Sequence, residues 1–221
     1  MDLAASWRGI TLASQALTPG MNLPPFGVTY DYRCPFARNA HEHILAALAG
    51  GAGWEVSFVP FSLSQVHLEE GSTPVWDDPS AAPERLAIEA SIVVAEHYPD
   101  SFPAAHKAFF AARHDEGRDL RDEEVVKDVL ERSGVSSEAV LAEVASSWPR
   151  ESFRKAHEQA VSAHAVFGVP TFIVEGEAVF VRIMTRPSGD AELAARTIEQ
   201  VVRLATEHPE LNELKHTTIA R

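Results

Sequence analysis

The chain has 221 residues, of which 45% are hydrophobic and 23% charged, so it can bury the core of one domain, or of one domain carrying a large insertion, and disorder is excluded as its main state. A formal charge of −13 argues against nucleic acid or an anionic membrane as partner, because phosphate binding needs a clustered cationic face. A single cysteine cannot form an internal disulfide, and no apolar run approaches the ~18 residues of a membrane span, so the expected location is the cytoplasm.

Residues 1–25, "MDLAASWRGITLASQALTPGMNLPP", lack the basic start and sustained apolar block of a secretory signal. They are expected to form a loose N-terminal extension, with Met21 as a candidate natural start. After the Pro-Pro stop, "FGVTYDY" at 26–32 mixes β-branched and aromatic residues and predicts a strand. From Pro35, "PFARNAHEHILAALAGG" predicts a helix that begins on a proline and ends at glycines. The alternation of "WEVSFVPF" predicts a second strand, completing a β-α-β opening.

Residues 84–144 read as helical throughout. Val125, Val126, Val129 and Leu130 recur at helical spacing, with acidic residues on the opposite, solvated face. A further helix at about 150–166 leads into "GVPTFIVEGEAVFVRI", where two β-rich runs flank "EGE" as an antiparallel hairpin. "DAELAARTIEQVVRLATEH" closes with an amphipathic helix whose Leu193, Ile198, Val201, Val202 and Ala205 share a face.

The order is therefore β-α-β, helical insert, α-β-β-α. With "CPFA" at the first strand-to-helix junction and "GVPT" opening the late hairpin, it resembles an α/β thioredoxin fold with a helical insertion. More closely it is similar to the DsbA family of thiol:disulfide oxidoreductases, in the branch of FrnE-like proteins and mycothiol-dependent nitroreductases. The resemblance runs from about Phe26 to Lys215. It implies a thioredoxin-fold domain over 26–80 and 150–207, a helical insertion at 81–149 and a tail at 208–221.

Members of that family usually carry Cys-Pro-aromatic-Cys. Here Cys34, Pro35 and Phe36 match, and Ala37 stands at the position of the resolving thiol. In the family the bond matching Val169-Pro170 is cis and lies against the active cysteine, so the resemblance implies a substrate groove of Pro35, Phe36, Val169, Pro170 and Thr171. An internal disulfide cannot release a bound substrate here, since Ala37 has no thiolate to attack with. A mixed disulfide on Cys34 must wait for an external thiol.

Cys34 at the N-cap places its sulfur beside the unpaired amides of the first helical turn, and Arg33 and Arg38 are neighbouring cations for charge tuning. The expectation is an accessible thiol with a pKa below the ~8.5 of a free cysteine. A lone cysteine is otherwise more often a small buried hydrophobe. Phe36 has two readings, a flat apolar contact for substrate or ordinary packing against the insert. Arg33 and Arg38 likewise meet a carboxylate on a thiol cofactor or are solvated surface charges.

His41 and His43 point to different sides of their helix and form no metal pair. His157 and His164 share the stripe of Phe153, Ala160 and Val161; a proton relay and partly buried, hydrogen-bonded histidines are both open for them. No zinc-ligand spacing, G-x-G-x-x-G or P-loop occurs.

The activity expected is thus monothiol. Cys34 acts as nucleophile on mixed disulfides or small electrophiles, with no tightly bound cofactor or metal. The co-substrate is mycothiol, glutathione or a protein thiol. Two rival readings remain: an enzyme related to kappa-class glutathione transferases and 2-hydroxychromene-2-carboxylate isomerases, in which a serine takes the Cys34 position and activates glutathione, and a degenerate member that binds a peptide or thiol without turnover.

Overall fold

In the computed structural model, which describes residues 10–13 and 23–218, five strands form one mixed sheet in the order β1-β3-β2-β4-β5. The strands are β1 (Ile10–Ala13), β2 (Phe26–Tyr30), β3 (Glu55–Pro60), β4 (Thr171–Val174) and β5 (Glu177–Phe180). β2 lies at the centre, parallel to β3 and antiparallel to β4. Its Phe26, Val28, Thr29 and Tyr30 are all buried, as expected for a strand covered on both faces.

Helix α1 (Pro35–Ala49) follows β2 and makes the crossover to β3. Ala37, Ala40, Ile44 and Ala47 are buried at helical spacing and give it the apolar stripe that packs into the core. A proline at its first position costs no hydrogen bond, because that N–H has no intrahelical acceptor. At its other end, a Cβ on Gly50 would come 2.6 Å from the Ala191 Cβ, so close approach to the last helix requires glycine there.

After β3 the chain forms a short turn of helix, α2 (Leu63–Val66), a 3-10 turn at Pro79–Ala81, and then α3 (Ala82–His97), α4 (Phe102–His114), α5 (Glu123–Arg132) and α6 (Ser137–Val144). Asp122 and Ser136 cap α5 and α6 by accepting from the Glu124 and Ala139 amides, which fixes where those helices start. Val125, Val126, Val129 and Leu130 are buried as their spacing predicts. α7 (Trp148–His164) returns beside α3 to β3 and delivers the chain to β4. The β4–β5 hairpin turns on Glu175 and Gly176, both at positive φ, the conformation a two-residue turn needs to match strand twist.

α8 (Ala191–Glu207) lies against α1 and the hairpin strands. Its buried face is Ala194, Ile198, Val201, Val202 and Ala205. Leu193, which the periodicity assigned to that face, is largely exposed, and its neighbour Ala194 takes the inward position.

The N-terminal extension is the larger correction. Ile10–Ala13 forms an edge strand antiparallel to β3, pairing through backbone groups that a reading of side-chain pattern does not see. The rest of residues 1–22, including Met21, lies outside the described residues. Among the described residues no helix is long and apolar enough to cross a membrane.

Candidate active site

The site forms where the turn between β2 and α1 meets the loop that opens β4. Asp31 builds the first wall. Its side chain is only 1% exposed; it accepts from the Arg33 amide at 2.9 Å, from the Arg33 guanidinium at 3.0 and 2.6 Å, and from the Leu63 amide at 3.0 Å. Its backbone carbonyl accepts from the Cys34 amide. One carboxylate thereby shapes the turn that presents the cysteine.

Cys34 is the N-cap of α1, with extended backbone (φ −92°, ψ 117°). Its Sγ donates to the Val169 carbonyl at 3.3 Å, and the Phe36 and Ala37 amides face the sulfur. Cys34 is buried, with 8% of the residue exposed, which corrects the expectation of an accessible thiol.

The direction of its acidity is corrected as well. Burial pushes the Cys34 thiol up from its ordinary value; the two amides pull it down, and the Asp31 carboxylate adds to the rise. Desolvation outweighs the helix terminus because burial of Cys34 strips a thiolate of hydration that two amides replace only in part.

The expected cations are engaged elsewhere. Arg33 is held by Asp31, Ser64 and Glu84, and Arg38 by Asp115. A groove of about 570 Å³ opens beside Arg33, bounded by Ser64, His67, Val75 and Glu84; Cys34 does not line it.

The second wall is the Gly168–Thr171 loop. The Val169-Pro170 peptide is cis, and Val169, Pro170 and Thr171 are all buried. Thr29 of β2 anchors this loop. Its Oγ1 accepts from the Thr171 amide at 2.8 Å, while the Thr171 hydroxyl donates to the Gly168 carbonyl at 2.8 Å.

Around these walls Pro35 is exposed and Phe36 half-buried. The Arg182 guanidinium lies over the Phe36 ring, 5.5 Å from its centroid. Ala37, where the resemblance to the family places the resolving thiol, has no exposed surface.

Sequence reasoning missed a buried polar chain behind the cysteine. The His41 Nε2 donates to the Thr29 carbonyl at 3.2 Å, which leaves its Nδ1 as acceptor. The His106 Nε2 donates to that nitrogen at 2.9 Å, and the Tyr32 hydroxyl donates to the His106 Nδ1 at 2.8 Å. All three side chains are buried among Tyr30, Phe58, Phe102 and Phe110. Burial holds His41 down to about 3 and His106 well below the ordinary imidazole range. No local spacing announces this chain, since its hydrogen bonds join residues 65 and 74 positions apart.

The other histidines are dispersed. The His43 Nε2 donates to the Thr185 carbonyl. His157 accepts from the Ser62 amide and is held at about 4 by burial, and the His164 Nδ1 is buried without a partner.

The mixed sheet, the cysteine at the N-cap of the crossover helix, the cis-proline loop against its sulfur and the helical insert define an α/β protein of thioredoxin fold with an inserted helical layer. Residues 28–185 match the DSBA-like thioredoxin domain, and the chain belongs to that family. Solved structures agree on the fold. The thiol-disulfide oxidoreductase MdbA of Actinomyces oris is 19% identical, with 85% of this chain and 88% of that chain covered and a TM-score of 0.58. The oxidoreductase NmDsbA1 of N. meningitidis is 19% identical, with 90% and 92% covered and a TM-score of 0.53. The cytosolic disulfide reductase DsbM of Pseudomonas aeruginosa, solved with GSH, is 17% identical, with 81% and 100% covered and a TM-score of 0.55. No curated protein matches the sequence.

Proposed function

We propose that this DsbA-family protein is a monothiol oxidoreductase that exchanges mixed disulfides through Cys34 with an external low-molecular-weight thiol. The observation that carries the reading is the apposition of the Cys34 Sγ to the Val169 carbonyl across a cis Val169-Pro170 bond, at the N-cap of α1.

Two hydrogen-bonding states are available to the sulfur. As a thiol it donates to Val169. As a thiolate it loses that bond and accepts from the Phe36 and Ala37 amides. The thiolate attacks one sulfur of a disulfide R–S–S–R′; the Cys34–S–S–R bond forms, the S–S bond of the substrate breaks, and R′–S⁻ leaves with the electron pair. A second thiolate, from glutathione, mycothiol or a protein thiol, then attacks the sulfur of R, and Cys34 leaves as thiolate. Such a cycle depends on a thiol pool, which favours the cytoplasm.

Burial of the thiol and its raised pKa favour a second reading, a scaffold that holds a peptide or thiol without turnover. One experiment separates the two. The folded protein is mixed with glutathione disulfide, the adduct on Cys34 is followed by mass, and glutathione is then added. Formation and release of the adduct, both abolished in Cys34→Ser, support the enzyme. A folded protein that forms no adduct overturns it and leaves the scaffold.

A further inference from the structure

Among the described residues, one arginine against the Cys34–Phe36 turn has no carboxylate partner. Of the three arginines around the site, Arg33 is held by Asp31 and Glu84 and Arg38 by Asp115. Among the described residues Arg182 makes neither an ion pair nor a side-chain hydrogen bond, and its guanidinium rests on the ring of Phe36, two residues beyond Cys34.

Two independent contacts fix its place. Cation–π contact with Phe36 ties the head group to the α1 wall. The backbone ties its stem to the other wall, because β4 and β5 pair Thr171 with Phe180 and the next pair is closed by the Val181 amide on the Pro170 carbonyl at 3.2 Å. Arg182 directly follows Val181 and Pro170 directly follows Val169, whose carbonyl holds the Cys34 thiol.

The strap beyond is clamped along α1. The Asn39 Nδ2 donates to the Ile183 carbonyl, His43 to the Thr185 carbonyl, and Arg186 to Glu42 at 2.5 and 2.7 Å. An exposed arginine on a strap this firmly held loses little freedom when an anion docks. In a protein of formal charge −13, a guanidinium with no carboxylate partner among the described residues, resting on the ring of Phe36, is suited to receive an anion.

We infer that Arg182, seated on Phe36, is the specificity-determining residue of the site and receives a carboxylate on the thiol or disulfide exchanged at Cys34, so that the preferred co-substrate is a carboxylate-bearing thiol of the glutathione class over an uncharged sugar thiol such as mycothiol. This rests on the monothiol reading above. The planar guanidinium offers a forked pair of N–H donors to a carboxylate while its face stays on the ring.

The test uses three disulfides that differ mainly in charge: dithiodipropionate (anionic), hydroxyethyl disulfide (neutral) and cystamine (cationic). The rate of adduct formation on Cys34 is measured for the native protein, Arg182→Lys, Arg182→Gln and Arg182→Glu. Arg182→Gln is expected to lower the anionic-to-neutral rate ratio by about three- to tenfold, the scale of one partly exposed ion pair, while the neutral rate stays within about a factor of two. Arg182→Lys should retain part of the preference, Arg182→Glu should reverse it in favour of cystamine, and added salt should erode it. An unchanged ratio in Arg182→Gln, or equal slowing with all three probes, overturns the inference and leaves monothiol exchange standing. If Cys34 in the native protein reacts with none of the three, monothiol exchange itself fails and the inference falls with it.

Discussion

The Cys34 Sγ and the Val169 carbonyl meet at 3.3 Å although 135 positions of chain separate them. A carbonyl can only accept, so the contact belongs to the protonated thiol. It joins the two walls of the site and opposes ionisation of the group expected to react.

The first consequence is a slow thiol at neutral pH. Burial raises the Cys34 pKa and the Phe36 and Ala37 amides offset it only in part. The rate of iodoacetamide alkylation in the folded protein is expected to keep rising past the pH at which a free cysteine levels off, about 8.5. Stability carries the same sign. Folded Cys34 holds its proton more tightly than the unfolded chain does, so its contribution is full below the unfolded pKa and is lost as pH rises through the folded one. A rate that levels off below pH 7.5, about where activated cysteines titrate, contradicts this.

Asp31 offers a way to move that value. Its charge raises the thiol pKa and it also immobilises Arg33. Asp31→Asn removes the negative charge near the sulfur, which favours thiolate, while Arg33 keeps Ser64 and Glu84 as partners. The alkylation profile should shift to lower pH. The variant should also lose about 1–3 kcal/mol, because amides and a guanidinium lose a charged acceptor; urea unfolding reads this cost independently.

Ala37→Cys tests whether the site lacks only its second sulfur. Ala37 has no exposed surface, so the larger side chain is expected to cost about 1–3 kcal/mol through overpacking. Oxidation should yield an internal disulfide between Cys34 and the introduced thiol, seen as the loss of two hydrogens by mass, and insulin reduction should appear where the native protein shows none. A folded variant that stays a dithiol under oxidant would show that the two positions are not set for exchange.

The Tyr32–His106–His41 chain makes the fold acid-sensitive. Unfolded imidazoles take a proton near 6.5, whereas folded His41 waits until about 3 and folded His106 is also held well below 6.5. Between those values the unfolded chain binds more protons. The contribution is therefore present above pH 6.5 and is lost as pH falls toward 3, by about 1.4 kcal/mol per pH unit for each imidazole fully protonated only when unfolded. Urea midpoints between pH 7 and 4.5 should show the slope. His106→Leu should reduce it by one proton while costing about 2–4 kcal/mol at pH 7, since the Tyr32 hydroxyl and the His41 Nδ1 lose their partner.

The parts legible in the sequence are those with a local signature. The β2–Cys–Pro–α1 junction, the Glu175–Gly176 hairpin and the Val125–Leu130 face each follow from a spacing or a turn residue, and the cis Val169-Pro170 bond followed from resemblance alone. The misses have one physical origin, partners brought in from elsewhere. Helix amides and two arginines pointed to an acidic thiol, but the burial that outweighs them comes from a loop 135 positions away. Arg33 had a neutralising carboxylate two residues off, in plain view at Asp31. Arg182 was unremarked because its meaning depends on Phe36, 146 positions earlier in the chain.

A sole thiol, sealed by contact between segments so distant in sequence, is a reporter of how often the structure breathes. Where alkylation is fast compared with reclosing it reads the opening rate, and where it is slow it reads the opening equilibrium. Weak dependence on urea would place the event in the Gly168–Thr171 loop alone, and a steep dependence would mean that the helical layer and the sheet must part before Cys34 meets solvent.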